Sequence, residues 1–215
     1  MKQDNSIYLR RYIYSFFIAT FLFILVFAIA DSFTHISYER NARESEVIRS
    51  YITDLNGYFK EQSCSDQLIF DASLKLDNVG NRIDLLEKRF GKSDQRVVTQ
   101  KKQYAELQHT HYLIIQRLNK YCGAKFITVL YFYTQAKEES DANEQASFIL
   151  NAFKQESPER IMIYAFDSSI GSGIVGNLKT WYNITSTPSV LVNQENKIDK
   201  LTHISQLDPF LKEVR

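Results

Sequence analysis

The sequence predicts a mixed α/β protein in three parts: an apolar membrane-spanning helix, a long helical hairpin, and a C-terminal domain ordered β-α-β-α-β-β-α. Three observations carry this. Tyr12 to Ala30 holds no charge over 19 residues. Residues 36 to 122 contain no proline, only Gly57, Gly80 and Gly91, and apolar positions repeating at helical spacing. After Ala124, runs of β-branched and aromatic residues alternate with helical patterns. The mean hydropathy of −0.29 therefore averages one very apolar segment with a long polar remainder.

At ~1.5 Å per residue the apolar run spans roughly 28 Å as a helix, about one bilayer core. Lys2, Arg10 and Arg11 precede it against Asp4 alone, whereas Asp31, Glu39, Glu44 and Glu46 outnumber Arg40 and Arg43 after it. That bias predicts residues 1–11 in the cytoplasm, 12–30 in the lipid bilayer as a signal anchor, and the rest exported at the cell membrane. Ala28-Ile29-Ala30 also suits a signal-peptide cleavage site, but the run is longer than an ordinary signal core and no glycine or proline breaks it. Anchoring is the expectation, and either reading exports the remaining chain.

Residues 31–63 read as a helical stalk. Ser37 to Glu46 is almost wholly polar, and Val47, Ile48, Tyr51, Ile52, Leu55, Tyr58 and Phe59 then form one face, a surface through which the stalk would homo-oligomerise. Residues 64–123 read as an antiparallel hairpin. Leu68, Ala72, Leu76, Val79, Ile83, Leu86 and Phe90 make a coiled-coil stripe, continued by Tyr104, Leu107, His111, Ile115, Leu118 and Cys122. Gly91 suits a helix stop, and Ser93 or Asp94 the next cap. Cys64 and Cys122 stand symmetrically about residue 93, so equal antiparallel arms bring them together at the open end. In an oxidising compartment this predicts a disulfide. Lys88, Arg89, Lys92, Arg96, Lys101 and Lys102 make the tip basic, which reads as a solvated helix end. His109 and His111 lie two apart without nearby ligands, so no metal site is predicted and His111 is placed at the core edge.

Residues 124–215 form the third part. Phe126–Tyr133 reads as a strand buried on both faces, 141–157 as a helix with Ala146, Ile149, Leu150 and Phe153 inward, and Ile161–Phe166 as a second strand. Residues 171–182 are helical, 189–192 and 197–201 are strands joined by a turn, and 205–214 closes as a helix. The first two strands are expected to be parallel and the last two antiparallel.

This order, together with Trp181-Tyr182-Asn183-Ile184-Thr185-Ser186-Thr187-Pro188-Ser189-Val190-Leu191-Val192, resembles the thioredoxin-like fold. The resemblance implies a cis peptide at Pro188 and a peptide-binding backbone at Thr187; Trp181, Tyr182 and Tyr133 are the aromatic side chains available to add apolar contacts. It also implies a C-x-x-C after the first strand, and here the sequence departs from the family. Lys137 and Ser140 stand at those positions, and no cysteine lies in 124–215. Thiol–disulfide exchange needs a thiolate.

The expected function is therefore a membrane-anchored, extracytoplasmic protein with a redox-inactive domain in a binding, scaffold or chaperone-like role toward a protein or peptide partner. The alternative is an oxidoreductase-related protein using Cys64 and Cys122 or acting with a redox partner. No cofactor is expected. A net charge of +1 argues against nucleic acid. Asn183-Ile184-Thr185 is an acceptor triplet for N-glycosylation.

Overall fold

The computed structural model describes residues 11–29, 46, 49–50, 53, 64 and 66–212. The chain divides into two units, 1–43 and 44–215. In the first, α1 (Arg11–Ile29) is a helix long and apolar enough to cross a membrane. The readings for 1–10, for Ala30 and for most of the stalk lie outside the described residues. Residues 46, 49, 50 and 53 are helical. Arg49 pairs with Glu106 at 3.1 Å.

In the second unit, α2 (Asp66–Phe90) and α3 (Gln95–Tyr121) form the hairpin. The turn is encoded locally. Gly91 adopts φ +88°, which a β-carbon disfavours, and its N–H bonds the Glu87 carbonyl at 2.8 Å. Asp94 caps α3, accepting from the Arg96 backbone N–H at 2.9 Å and from its guanidinium at 2.9 and 2.8 Å. At the open end Cys64 and Cys122 are joined by a disulfide, with Cα atoms 5.9 Å apart. Gly80, mid-α2, lets the arms approach closely, since a β-carbon there would lie 2.7 Å from the Tyr104 hydroxyl.

Four strands follow: β1 (Ile127–Tyr133), β2 (Ile161–Asp167), β3 (Ser189–Val192) and β4 (Asn196–Ile198). Their order in the sheet is β2-β1-β3-β4. β1 and β2 are parallel from Ile127↔Ile161 to Tyr133↔Asp167, while β3 is antiparallel to both β1 and β4. A short 3-10 turn (Lys137–Glu139) and α4 (Ser140–Glu156) form the crossover from β1 to β2, and α5 (Gly173–Trp181) leads toward β3. The expected C-terminal helix is broken. A 3-10 turn (Ile204–Gln206) precedes a four-residue α6 (Asp208–Leu211) with Pro209 in its first turn, where the missing N–H is tolerated. β4 begins one residue earlier than expected and ends at Ile198.

Alternation along β1 splits the core in two. Ile127, Val129 and Tyr131 face Ala146, Ile149, Leu150 and Phe153 of α4, with Leu201 and Leu207. Leu130 and Phe132 face the other way, into a cluster with Leu76, Val79 and Ile83 of α2, Ile114, Ile115 and Leu118 of α3, and Val175 and Leu178 of α5. The apolar core thus crosses the boundary drawn at 123/124. The stripe that reads as a coiled coil is half of a helix-on-sheet layer, because α3 has buried residues on the sides meeting both α2 and the sheet. Asn119 welds this junction by bonding both backbone groups of Phe126, at 2.8 and 3.0 Å.

His111 is deeper than its expected edge position, at 1% exposure. Nδ1 lies 2.8 Å from the Tyr164 hydroxyl and Nε2 3.2 Å from Ser73 Oγ, which itself donates to the Ile69 carbonyl. Burial lowers the imidazole pKa from 6.5 to about 4. The unfolded chain therefore binds one more proton between these values, so stability is full above about pH 6.5 and falls as pH drops toward 4, by about 3 kcal/mol. His111→Gln is expected to flatten this part of the pH dependence, measured by urea unfolding of the full chain in detergent between pH 7 and 4.5. The disulfide closes a loop of 58 residues. Replacing both Cys64 and Cys122 with serine is expected to cost roughly 4 kcal/mol in the same titration at pH 7.

Candidate functional site

The parallel register delivers Tyr133 and Asp167 side by side at the C-terminal ends of β1 and β2. Asp167 Oδ1 accepts from the Ser169 backbone N–H at 2.9 Å and from its hydroxyl. Asp167 Oδ2 accepts from Gln135 and from the Lys101 ammonium. Lys101 also donates to Glu87 Oε1 at 2.6 Å, and its Nζ lies 5.6 Å from the Tyr133 ring centroid. One cation and two carboxylates, from α3, α2 and β2, meet where the hairpin tip touches the sheet.

This corrects the basic tip read from the sequence. Lys101 is not a surface charge: its side chain is 7% exposed and neutralised on two sides. Arg96 is engaged by Asp94 and lies 4.4 Å from the Phe90 ring centroid. Lys88, Arg89 and Lys92 remain exposed. Burial opposes the Lys101 charge, but Tyr133 together with hydrogen bonds to Asp167 and Glu87 outweighs it and holds the amine above its ordinary pKa. Asp167 is likewise held below its ordinary value by Lys101 and Ser169, against the effect of burial. Burial raises both Tyr133 and Asp84.

The cluster borders a cleft. Cavities of about 410 and 710 Å³ share Asp84, Tyr133, Asn151, Ile163 and Ala165. Residues of α2 and α4 line it, with the edge strand β2 between them. A Lys154–Asp77 ion pair ties α4 to α2. With its nitrogen toward the Ala165 carbonyl, the Gln108 amide donates at 2.9 Å and accepts from the Ala165 N–H at 3.1 Å. One side chain thereby occupies an outward-facing backbone pair of the edge strand.

The larger cavity gathers several residues that the sequence singles out. Tyr133, Lys137 and Ser140 all line it. Lys137 opens the 3-10 turn and Ser140 begins α4, both exposed. Thr187 comes to the same turn, donating from Oγ1 to Glu139 Oε2 at 2.7 Å, and the Thr187–Pro188 peptide is cis. Trp181 does not join them. It is 78% exposed at the end of α5 and stacks on Tyr182, with ring centroids 6.2 Å apart. Asn183 follows it in an exposed turn. Among the described residues no group of three or more His, Cys, Asp or Glu is placed to hold a metal ion. Neither cavity is lined by a histidine.

Sequence reading misses Lys101, Asp167, Glu87 and Gln108. A signal for two of them is present. Extending the α3 stripe backwards from Ile115, His111, Gln108 and Tyr104 at steps of four and three reaches Lys101 and Val97. Polar residues on an apolar stripe are buried and partnered.

No family model matches this chain, and no curated protein matches it.

Lys101→Met strands two partly or fully buried carboxylates and is expected to destabilise by about 3–5 kcal/mol. Adding Glu87→Gln and Asp167→Asn to Lys101→Met is expected to recover much of that loss. Urea unfolding of the full chain in detergent checks both.

Proposed function

We propose that this is a membrane-anchored protein whose folded part lies outside the cytoplasm and serves as a binding or scaffold module. Its C-terminal portion is read as a thioredoxin-like domain without redox chemistry, and its cleft as the surface offered to a protein or peptide partner. The observation that carries this is the fate of the cysteines. Cys64 and Cys122 are consumed in one bridge across the open end of the hairpin. Lys137 and Ser140 stand at the cleft where a redox member of that class would carry its thiols.

Further support comes from three directions. The sheet order β2-β1-β3-β4, with its parallel first pair and antiparallel second half, suits the class. The cis peptide before Pro188 lies beside the turn where a C-x-x-C would stand. A disulfide in a chain with only two cysteines suits an oxidising compartment. The excess of Lys and Arg before α1 then orients the N-terminus toward the cytoplasm. Outside the ion cluster, the charges lining the larger cavity are mixed: Asp84 and Glu144 with Lys92 and Lys137. Such a lining selects an uncharged segment rather than a strongly acidic or basic one.

The test is thiol alkylation with intact-mass analysis of the full chain, beside an insulin-reduction assay. The expected result is no alkylation before reduction, complete double alkylation after it, and no catalysed insulin precipitation. Alkylation of the untreated protein together with turnover would replace this reading with an oxidoreductase.

A further inference from the structure

The end of α5 is a turn dictated by its own sequence. The Asn183 N–H bonds the Thr180 carbonyl at 3.3 Å and the Ile184 N–H bonds the Lys179 carbonyl at 2.8 Å. These are the two bonds of a Schellman stop, whose C′ residue takes the left-handed conformation. That residue is Asn183, at φ +53°, where asparagine is among the few L residues that sit without large strain. Ile184 is buried and pins the turn inward, leaving Asn183 and Thr185 exposed on either side of it. Lys197 Nζ donates to the Asn183 carbonyl at 3.2 Å, fastening the turn beside β4. Among the described residues the Asn183 carboxamide has no hydrogen-bond partner.

Two residues earlier stands Trp181, whose 78% exposure exceeds that of every other exposed large hydrophobic side chain described. A single exposed apolar side chain carries no meaning alone. This one is held. Its ring stacks on Tyr182 with planes 14° apart, and the Tyr182 hydroxyl lies 2.7 Å from that of Tyr112, which is buried. A flat, exposed aromatic surface anchored to the core through Tyr182 therefore precedes by two residues an exposed asparagine that opens an Asn-x-Thr triplet. A pyranose ring presents a face of C–H groups that packs on such a surface.

We infer that Asn183 carries an N-linked glycan whose first sugar stacks on Trp181. The inference rests on the exterior placement proposed above. The step joins Asn183 Nδ2 to the anomeric carbon of an oligosaccharide carried on a polyprenyl phosphate or diphosphate. The bond from that carbon to the phosphate oxygen breaks, the amide loses a proton, and the polyprenyl phosphate or diphosphate leaves. Thr185 completes the acceptor triplet, and Ile184 satisfies its one exclusion by not being proline.

The experiment expresses the full chain in cells that transfer asparagine-linked glycans outside the cytoplasm, with a second Asn-Ala-Thr triplet appended after Arg215. Peptide mass spectrometry with and without glycosidase reads both sites. The expected result is a glycan at Asn183 that is lost in Asn183→Gln and in Thr185→Ala. The second variant keeps asparagine in its left-handed turn, so it separates loss of the acceptor from loss of the helix stop. Trp181→Ala is expected to lower the Tm of the glycosylated protein by roughly 2–4 °C and to leave the Thr185→Ala background unchanged. A modified tag with a bare Asn183 overturns the glycan and leaves the exterior placement standing. Two bare sites overturn both. Equal Tm losses from Trp181→Ala in both backgrounds overturn the stacking.

Discussion

The ion cluster of Lys101 with Asp167 and Glu87 is the constraint on which the arrangement of hairpin and sheet depends. Removing a lysine from water costs several kcal/mol, so this contact is not a large source of net stability. Its effect is on register. Lys101 finds two carboxylates and an aromatic ring only when α3 lies along the sheet in one position. Shifting α3 by one turn would place the ammonium against apolar residues and leave two carboxylates without their cation. The large penalty for the wrong arrangement, more than the gain from the right one, selects a single docking.

The opposite end of the hairpin is fixed by different means. The Cys64–Cys122 bridge restrains the unfolded chain, and Asn119 ties the end of α3 to Phe126, the residue just before β1. Between these ends the packing is apolar and continuous from α2 through α3 into the sheet. Such packing is non-directional and would tolerate sliding. Polar contacts at both ends supply the direction that the core lacks, and His111 with Tyr164 and Ser73 adds a third polar point midway.

Much of this fold is legible in the sequence because it follows from periodicity and punctuation. The 3.6-residue stripe, Gly91 and Asp94 define the hairpin, and continuous β-branched runs define β1 and β2. The symmetry of Cys64 and Cys122 about the turn anticipates their bridge. What is not legible depends on contacts distant along the chain. Lys101 reads as one more charge on a basic tip, because its partner Asp167 lies 66 residues away. Gln108 is passed over because its partner, the Ala165 backbone on the edge of β2, lies far along the chain. The boundary at 123/124 reflects a change of periodicity, which records a change of secondary structure and not the extent of a core. Of the candidate site, Tyr133, Lys137, Ser140 and Thr187 are reached by resemblance to a known strand-and-turn order. The cleft beside them needs α2, which that resemblance does not include.

These geometries also limit how the cleft can recognise anything. Strand addition requires unpaired backbone along a sheet edge. On β2, Gln108 already occupies both groups of Ala165, and α2 and α4 residues line the cleft on either side of the strand. At Thr187 the side chain is engaged by Glu139 and holds the turn that carries Lys137. What the cleft offers instead is side-chain chemistry: amides from Asn81, Asn151 and Gln155, the ring of Tyr133, and the apolar floor of Ile163. Amides beside a ring are adaptable hydrogen-bonding partners for an uncharged polypeptide or another hydroxyl- and amide-rich surface. The buried ion cluster bears on the cleft itself, because Glu87 ties α2 to Lys101 and so fixes one wall of it.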